Sequence, residues 1–200
     1  MSRSLPFNPD SCQFAPVVRY SGEWHIFDFT EGFEADLVRE KQWGIGRYNE
    51  KRPGMYTAPH FENRRDIHIG IDFWTPPGEP VFAFCDGRVA YLTDNDRPGD
   101  YGPTIVTRHW VAGTPIFALY GHLSKQSLDN LTPGTPVERA QKLGAIGRKS
   151  ENGGWEPHLH FQLSLHDPGR ADMPGVVDEG EREEALRVYP DPRAVLGNLY

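Results

Sequence analysis

Two hundred residues, 38% hydrophobic and 12% aromatic, suffice for one domain with a real core and are too few for two comfortable ones. Lysine and arginine number 21 against 28 aspartates and glutamates, a formal charge of −7 that would repel a phosphate backbone and argues against nucleic acid as a partner. The longest apolar run, Pro115 to Tyr120, is of strand length and falls far short of the ~18 residues a membrane-spanning helix needs, and two cysteines, Cys12 and Cys85, are too few for a disulfide scaffold.

The chain opens Met1-Ser2-Arg3-Ser4-Leu5-Pro6-Phe7-Asn8-Pro9-Asp10, without the apolar central segment of a secretory leader, and a cytoplasmic location is the expectation from these residues. Residues 1–60 read as an N-terminal extension packed on the domain. Within it one helix is expected over Glu31 to Gln42, with Thr30 as N-cap and Phe33, Leu37 and Val38 as a thin apolar stripe. From Ile67 to Leu165 glycines and prolines punctuate the chain at intervals of about 8 to 12 residues, the rhythm of a β-rich domain. Strands are expected at His68 to Trp74, Pro80 to Cys85, Arg88 to Thr93, Thr104 to Trp110, Pro115 to Gly121, Lys142 to Ile146 and His158 to Leu165. Most should pair antiparallel, with Asp86-Gly87 as a tight hairpin turn. Further on, Asp178 to Val188 is a charged run that reads as a solvated loop or a short surface helix.

Chemistry concentrates in three of these elements. In Arg64-Arg65-Asp66-Ile67-His68-Ile69-Gly70-Ile71-Asp72, a straight strand would separate His68 and Asp72 by roughly 13 Å, too far to share one metal ion, so a bulge or kink at Gly70 is expected to bring them together. In Tyr120-Gly121-His122-Leu123-Ser124 a histidine follows a glycine at the end of a strand. His158-Leu159-His160-Phe161-Gln162-Leu163-Ser164-Leu165 alternates polar and apolar, which turns Leu159, Phe161, Leu163 and Leu165 toward a core and both histidines to the opposite face. A catalytic zinc takes three protein ligands and leaves a position for water. His68, Asp72 and one histidine of the pair supply that count, and spacing alone does not choose between His158 and His160. Two histidines remain to handle protons near neutral pH. Glu151 and Glu156, close to His158 in sequence, read as surface-loop residues, and Trp155 as either a groove wall or a cap on the core.

The order His-x-x-x-Asp, then Tyr-Gly-His-Leu-Ser, then Gly-x-x-x-Pro-His-Leu-His-Phe resembles the lysostaphin/LytM family of zinc endopeptidases, whose members mostly cut the peptide cross-links of peptidoglycan. Thr75-Pro76-Pro77-Gly78-Glu79-Pro80-Val81, Asp86-Gly87-Arg88-Val89 and Gly144-Ala145-Ile146-Gly147 extend the likeness, which covers about Arg64 to Leu165. The resemblance implies an all-β fold of two packed antiparallel sheets with a groove over one of them. It implies a zinc peptidase domain over 61–200, with its core at 64–165 and a C-terminal extension at 166–200. It also implies one zinc ion per chain held by His68, Asp72 and His160, with His122 and His158 beside the catalytic water and a peptide or peptidoglycan cross-link as substrate. By the same resemblance, action in the periplasm or outside the cell stands beside the cytoplasmic expectation. Two other readings fit the same residues: a zinc hydrolase for a cytoplasmic peptide or amide, and a non-catalytic binding or regulatory module on the same fold.

Overall fold

The computed structural model describes residues 6–62 and 64–200; Met1–Leu5, on which part of the leader reading rests, and Asn63 lie outside the described residues. The strands are β1 (His25–Ile26), β2 (Gly44–Gly46), β3 (Glu50–Lys51), β4 (Ile67–His68), β5 (Ile71–Trp74), β6 (Pro80–Phe82), β7 (Gly87–Asn95), β8 (Gly102–Val111), β9 (Thr114–Gly121), β10 (Pro136–Val137), β11 (Lys142–Ala145), β12 (His158–Ser164) and β13 (Val176–Val177). Eight of them form one sheet in the order β1-β2-β5-β12-β9-β8-β7-β10, beside a three-stranded sheet β13-β4-β3 and the pair β11-β6. The fold is therefore mostly β in several sheets, and among the described strands only the β1–β2 pairing is parallel. No helix among the described residues is long and apolar enough to cross a membrane.

Most of the expected strands form, because each presents an alternating or continuously apolar run to a shared core. Leu159, Phe161 and Leu163 of β12 pack with Ile71 and Phe73 of β5 and Tyr120 of β9, all nearly fully buried. The β8–β9 hairpin closes through Ala112 and Gly113, with φ of 47° and 82°. Two consecutive positive φ angles make the tight turn whose twist matches its strands, and Val111 and Thr114 pair across it. Register through this hairpin fixes where β9 ends, and hence where His122 emerges.

Three local expectations are corrected. Asp86-Gly87 does not join a hairpin, since β6 pairs with β11 while β7 pairs with β8 and β10. The Asp86 carboxylate instead accepts from the backbone N–H of Arg139 and its carbonyl from His109 Nδ1, which secures a passage between two sheets. The helix expected over Glu31 to Gln42 contracts to α1 (Ala35–Glu40). Thr30 spends its hydroxyl on Asp28, and Gly32 sits at φ 127°, outside helical space, which leaves Phe33 ahead of the helix and packed against Trp74. The stretch expected as one strand over His68 to Trp74 is two, β4 and β5, in different sheets. The charged run contains a helix, α2 (Arg182–Val188), followed by α3 (Arg193–Leu196). Upstream of residue 60, β1 and β2 complete one edge of the large sheet, and β3 joins β4. Cys12 and Cys85 are both unpaired thiols, each half-buried.

Candidate metal centre

The chain leaves β4 after His68, crosses at Ile69-Gly70 and enters the large sheet as β5, so His68 and Asp72 come from two sheets that meet at this crossing. Glycine is required at position 70 because a Cβ there would lie 2.5 Å from Cε1 and 2.6 Å from Nε2 of His160, so the bare backbone makes room for that ring. On the neighbouring strand, β12 places His160 directly opposite Asp72 and His158 opposite Trp74. His68 Nε2, Asp72 Oδ1 and His160 Nδ1 thereby form a triangle with sides of 3.0, 3.1 and 3.2 Å, and all three residues are almost completely buried. The histidine face of β12 is therefore the covered floor of a cavity and not a wet surface.

Each imidazole is oriented by its other nitrogen. His68 Nδ1–H donates to the Arg47 carbonyl at 2.9 Å, which leaves Nε2 unprotonated and facing the triangle. His160 Nε2–H donates to Gln162 Oε1 at 3.0 Å, and Gln162 is itself held through its amide by the Pro174 carbonyl, which leaves Nδ1 unprotonated. Burial lowers the His68 pKa to about 4, with the nearby Arg52 cation adding to the effect, so that ring is neutral at pH 7. Burial acts to raise the Asp72 carboxyl, but its basic neighbours, the Arg52 guanidinium bonded to it among them, hold it well below the ordinary range and keep it a carboxylate. With each ring in the tautomer that its other nitrogen favours, three lone pairs face one another within about 3 Å, an arrangement that a cation among them would stabilise. Tetrahedral ligands at ~2.0 to 2.1 Å from zinc lie about 3.3 Å apart, close to the separations found, and the nitrogen–oxygen–nitrogen donor set suits that ion.

The remaining two histidines border the same cavity. His122 Nδ1–H donates to the Asn152 carbonyl and His158 Nδ1–H to the Glu156 carbonyl, both at 2.8 Å, so each presents an unprotonated Nε2. Burial lowers His158 to about 4 and His122 well below its ordinary value. The two rings lie 4.2 Å apart between centroids, and His158 is stacked on the Trp74 indole at 4.1 Å. His158 Nε2 stands 3.9 Å from Asp72 Oδ1. His122 has φ 62°, a left-handed conformation uncommon for any residue but glycine. It is held there by bonds from its N–H to the Tyr101 carbonyl and to its C=O from the Gly147 N–H.

Glu151 and Glu156 stay away from the cluster: Glu156 pairs with Arg39 and Lys149, and Glu151 accepts from the backbone of Lys125 and Arg148. Trp155 is a cavity wall whose indole N–H donates to the Asp100 carbonyl. Nothing in the sequence singles out Arg52. This fully buried guanidinium donates to Asp72 Oδ2 at 2.7 Å, to Glu50 Oε2 at 2.9 Å and to the Tyr56 hydroxyl at 3.1 Å, fixing the second oxygen of the Asp72 carboxylate. Gln162 was placed on the correct face by the β12 alternation, and its neighbour His160 was the only hint of its purpose.

A family model described as peptidase family M23 matches residues 66–171. An uncharacterized metalloprotease of Haemophilus influenzae is 31% identical over 144 residues, 67% of this chain and 27% of that protein. The peptidoglycan DD-endopeptidase ShyA of Vibrio cholerae is 34% identical over 96 residues, 48% of this chain and 20% of that protein. This chain thus spans between a fifth and somewhat over a quarter of these two relatives. The catalytic domain of lysostaphin from Staphylococcus simulans superposes with a TM-score of 0.48 at 22% identity, covering 76% of this chain and 97% of that domain.

Proposed function

The chain belongs to peptidase family M23, and from that premise we propose that it is a zinc-dependent endopeptidase acting on the peptide cross-links of bacterial peptidoglycan, with His68, Asp72 and His160 as the metal ligands. The observation that carries this reading is the buried triangle of three donor atoms with two further imidazoles beside it, each with Nε2 free. Zinc in such a site supplies Lewis acidity, which polarises a peptide carbonyl and makes a water acidic near neutral pH. The chain's own part is proton handling and orientation. His122 and His158, neutral and with Nε2 free, take the proton of the attacking water and return one to the leaving amine. Once protonated, either ring donates a hydrogen bond to the negative oxygen of the tetrahedral species. Arg52 holds Asp72 in one rotamer by occupying its other oxygen.

The substrate class is supported by the DD-endopeptidase relatives, and it puts the site of action where peptidoglycan lies, in the periplasm or outside the cell, against the cytoplasmic expectation from the first residues. Purified protein is expected to carry about one zinc per chain by elemental analysis, and to lose activity to a strong chelator and regain it with zinc. The decisive assay sets purified peptidoglycan against a panel of short peptides. Cleavage of cross-links is the expected result, and cleavage of short peptides alone would redirect the substrate. No bound metal after zinc supplementation of folded protein would sink the reading.

The crossing at position 70 gives a further prediction. Gly70→Ala drives a methyl into the His160 ring, so zinc affinity should fall by about 10- to 100-fold, as when an orienting partner of a ligand is lost. Competition with a coloured chelator reads this directly, and an unchanged affinity would mean the ring can move aside without consequence.

A further inference from the structure

We propose that Arg65 is a carboxylate anchor in the substrate cavity, so that the favoured peptide carries a free carboxylate within a few residues of the bond that is cut. The inference rests on the peptidase reading above and narrows its substrate.

The cavity over the metal centre encloses about 580 Å³. Three carboxylates line it, and each already has a cation: Asp72 pairs with Arg52, Asp100 with Arg97 at 2.8 Å, and Asp172 with Arg170 at 2.8 Å. Arg65 lines the same cavity and is different. Among the described residues it has no carboxylate within 4.0 Å, none of its side-chain nitrogens has a hydrogen-bond acceptor, and its Nε is shut off from solvent. Acidic groups are not scarce nearby, since the adjacent Arg64 pairs with both Glu62 and Asp178. In a chain of net charge −7, an arginine that lines the cavity and has no partner among the described residues marks a place where an anion from outside completes the site.

The geometry also limits where that anion sits. Arg65 precedes His68 by three residues, so their Cα atoms are at most about 11 Å apart, a distance that three residues of extended substrate span. The planar fork of a guanidinium matches a carboxylate with two parallel hydrogen bonds, which a carboxamide cannot accept in the same way. Phe61, Trp155, Met173 and Tyr189 supply apolar walls for the uncharged part of the peptide. The carboxylate can belong to the chain end of a substrate or to a side chain flanking the scissile bond.

Two pairs of peptides with a common scissile bond separate these sources: in one pair the C-terminus is acid or amide, in the other the residue after the scissile bond carries a side-chain carboxylate or carboxamide. Wild-type protein should prefer the acid in one pair by at least about tenfold in kcat/KM, mainly through KM, as expected for a hydrogen-bonded charge. Arg65→Gln should bring acid and amide level by loss on the acid form, Arg65→Lys should retain part of the preference, and both variants should keep wild-type zinc content. Calorimetric titration of the same peptides onto zinc-loaded His122→Ala protein, with and without Arg65→Gln, reads binding without turnover. Hydrolysis of all four peptides with no acid preference in either pair overturns the anchor and leaves the peptidase standing. Acid-selective binding that Arg65→Gln removes, without hydrolysis of any peptide by wild type, supports the anchor and counts against the peptidase reading.

Discussion

His160→Ala is expected to give a folded protein that no longer retains zinc and no longer hydrolyses substrate, because two protein ligands hold the ion poorly. Its neighbour two residues earlier should behave differently. His158→Ala and His122→Ala leave the donor triangle whole, so zinc should remain while turnover falls by roughly 10² to 10⁴ through loss of a proton-transfer or oxyanion partner. Zinc content and rate measured together on the three variants decide the matter. Metal lost from His158→Ala and kept by His160→Ala would reverse the assignments within the pair. Full metal and full activity in both would reduce the pair to an ordinary strand face.

Arg52→Met should be the most destabilising substitution outside the apolar core. It removes a cation that is entirely buried and leaves Glu50 and Asp72, both buried, facing each other's charge with less compensation. Glu50 still has Arg47, but Asp72 loses its only arginine partner among the described residues. Breaking a buried pair on one side costs about 3 to 5 kcal/mol, and for a chain of this size that corresponds to a fall in Tm on the order of 10 °C. Urea unfolding of metal-free protein measures it without interference from zinc binding. Added zinc should recover less stability in the variant than in wild type, since a ligand that has lost its orienting partner binds the ion more weakly. A loss below about 1 kcal/mol would mean water or a rearranged Arg47 replaces the guanidinium.

What was legible in the sequence was whatever a short segment decides alone. The β-rich class follows from turn residues at regular intervals, and the placement of His158, His160 and Gln162 on one face of β12 follows from a side-chain period of two. The need for a bend between His68 and Asp72 also followed from arithmetic on one strand. How the chain bends did not: it changes sheets at Gly70, and the glycine is there for the ring of His160, ninety residues later in the sequence. Asp86-Gly87 has the composition of a hairpin turn, yet its flanking strands found partners in different sheets, because pairing is settled by which apolar faces meet and not by the turn between them.

The same division runs through the site. Period two puts His158 and His160 on one face and cannot rank them; the β5–β12 register sets His160 against Asp72 and His158 against the Trp74 indole. Arg52 has no sequence signal at all, since an arginine twenty residues from an aspartate is ordinary until folding removes water from both. Arg65 is equally ordinary until the carboxylates lining its cavity are found paired with other arginines. The sequence by itself determined the residue types, the strand faces and the donor count, all of which are local. Register, burial and the pairing of charges were decided only by the tertiary structure, because each depends on which distant segment displaces water from a given side chain.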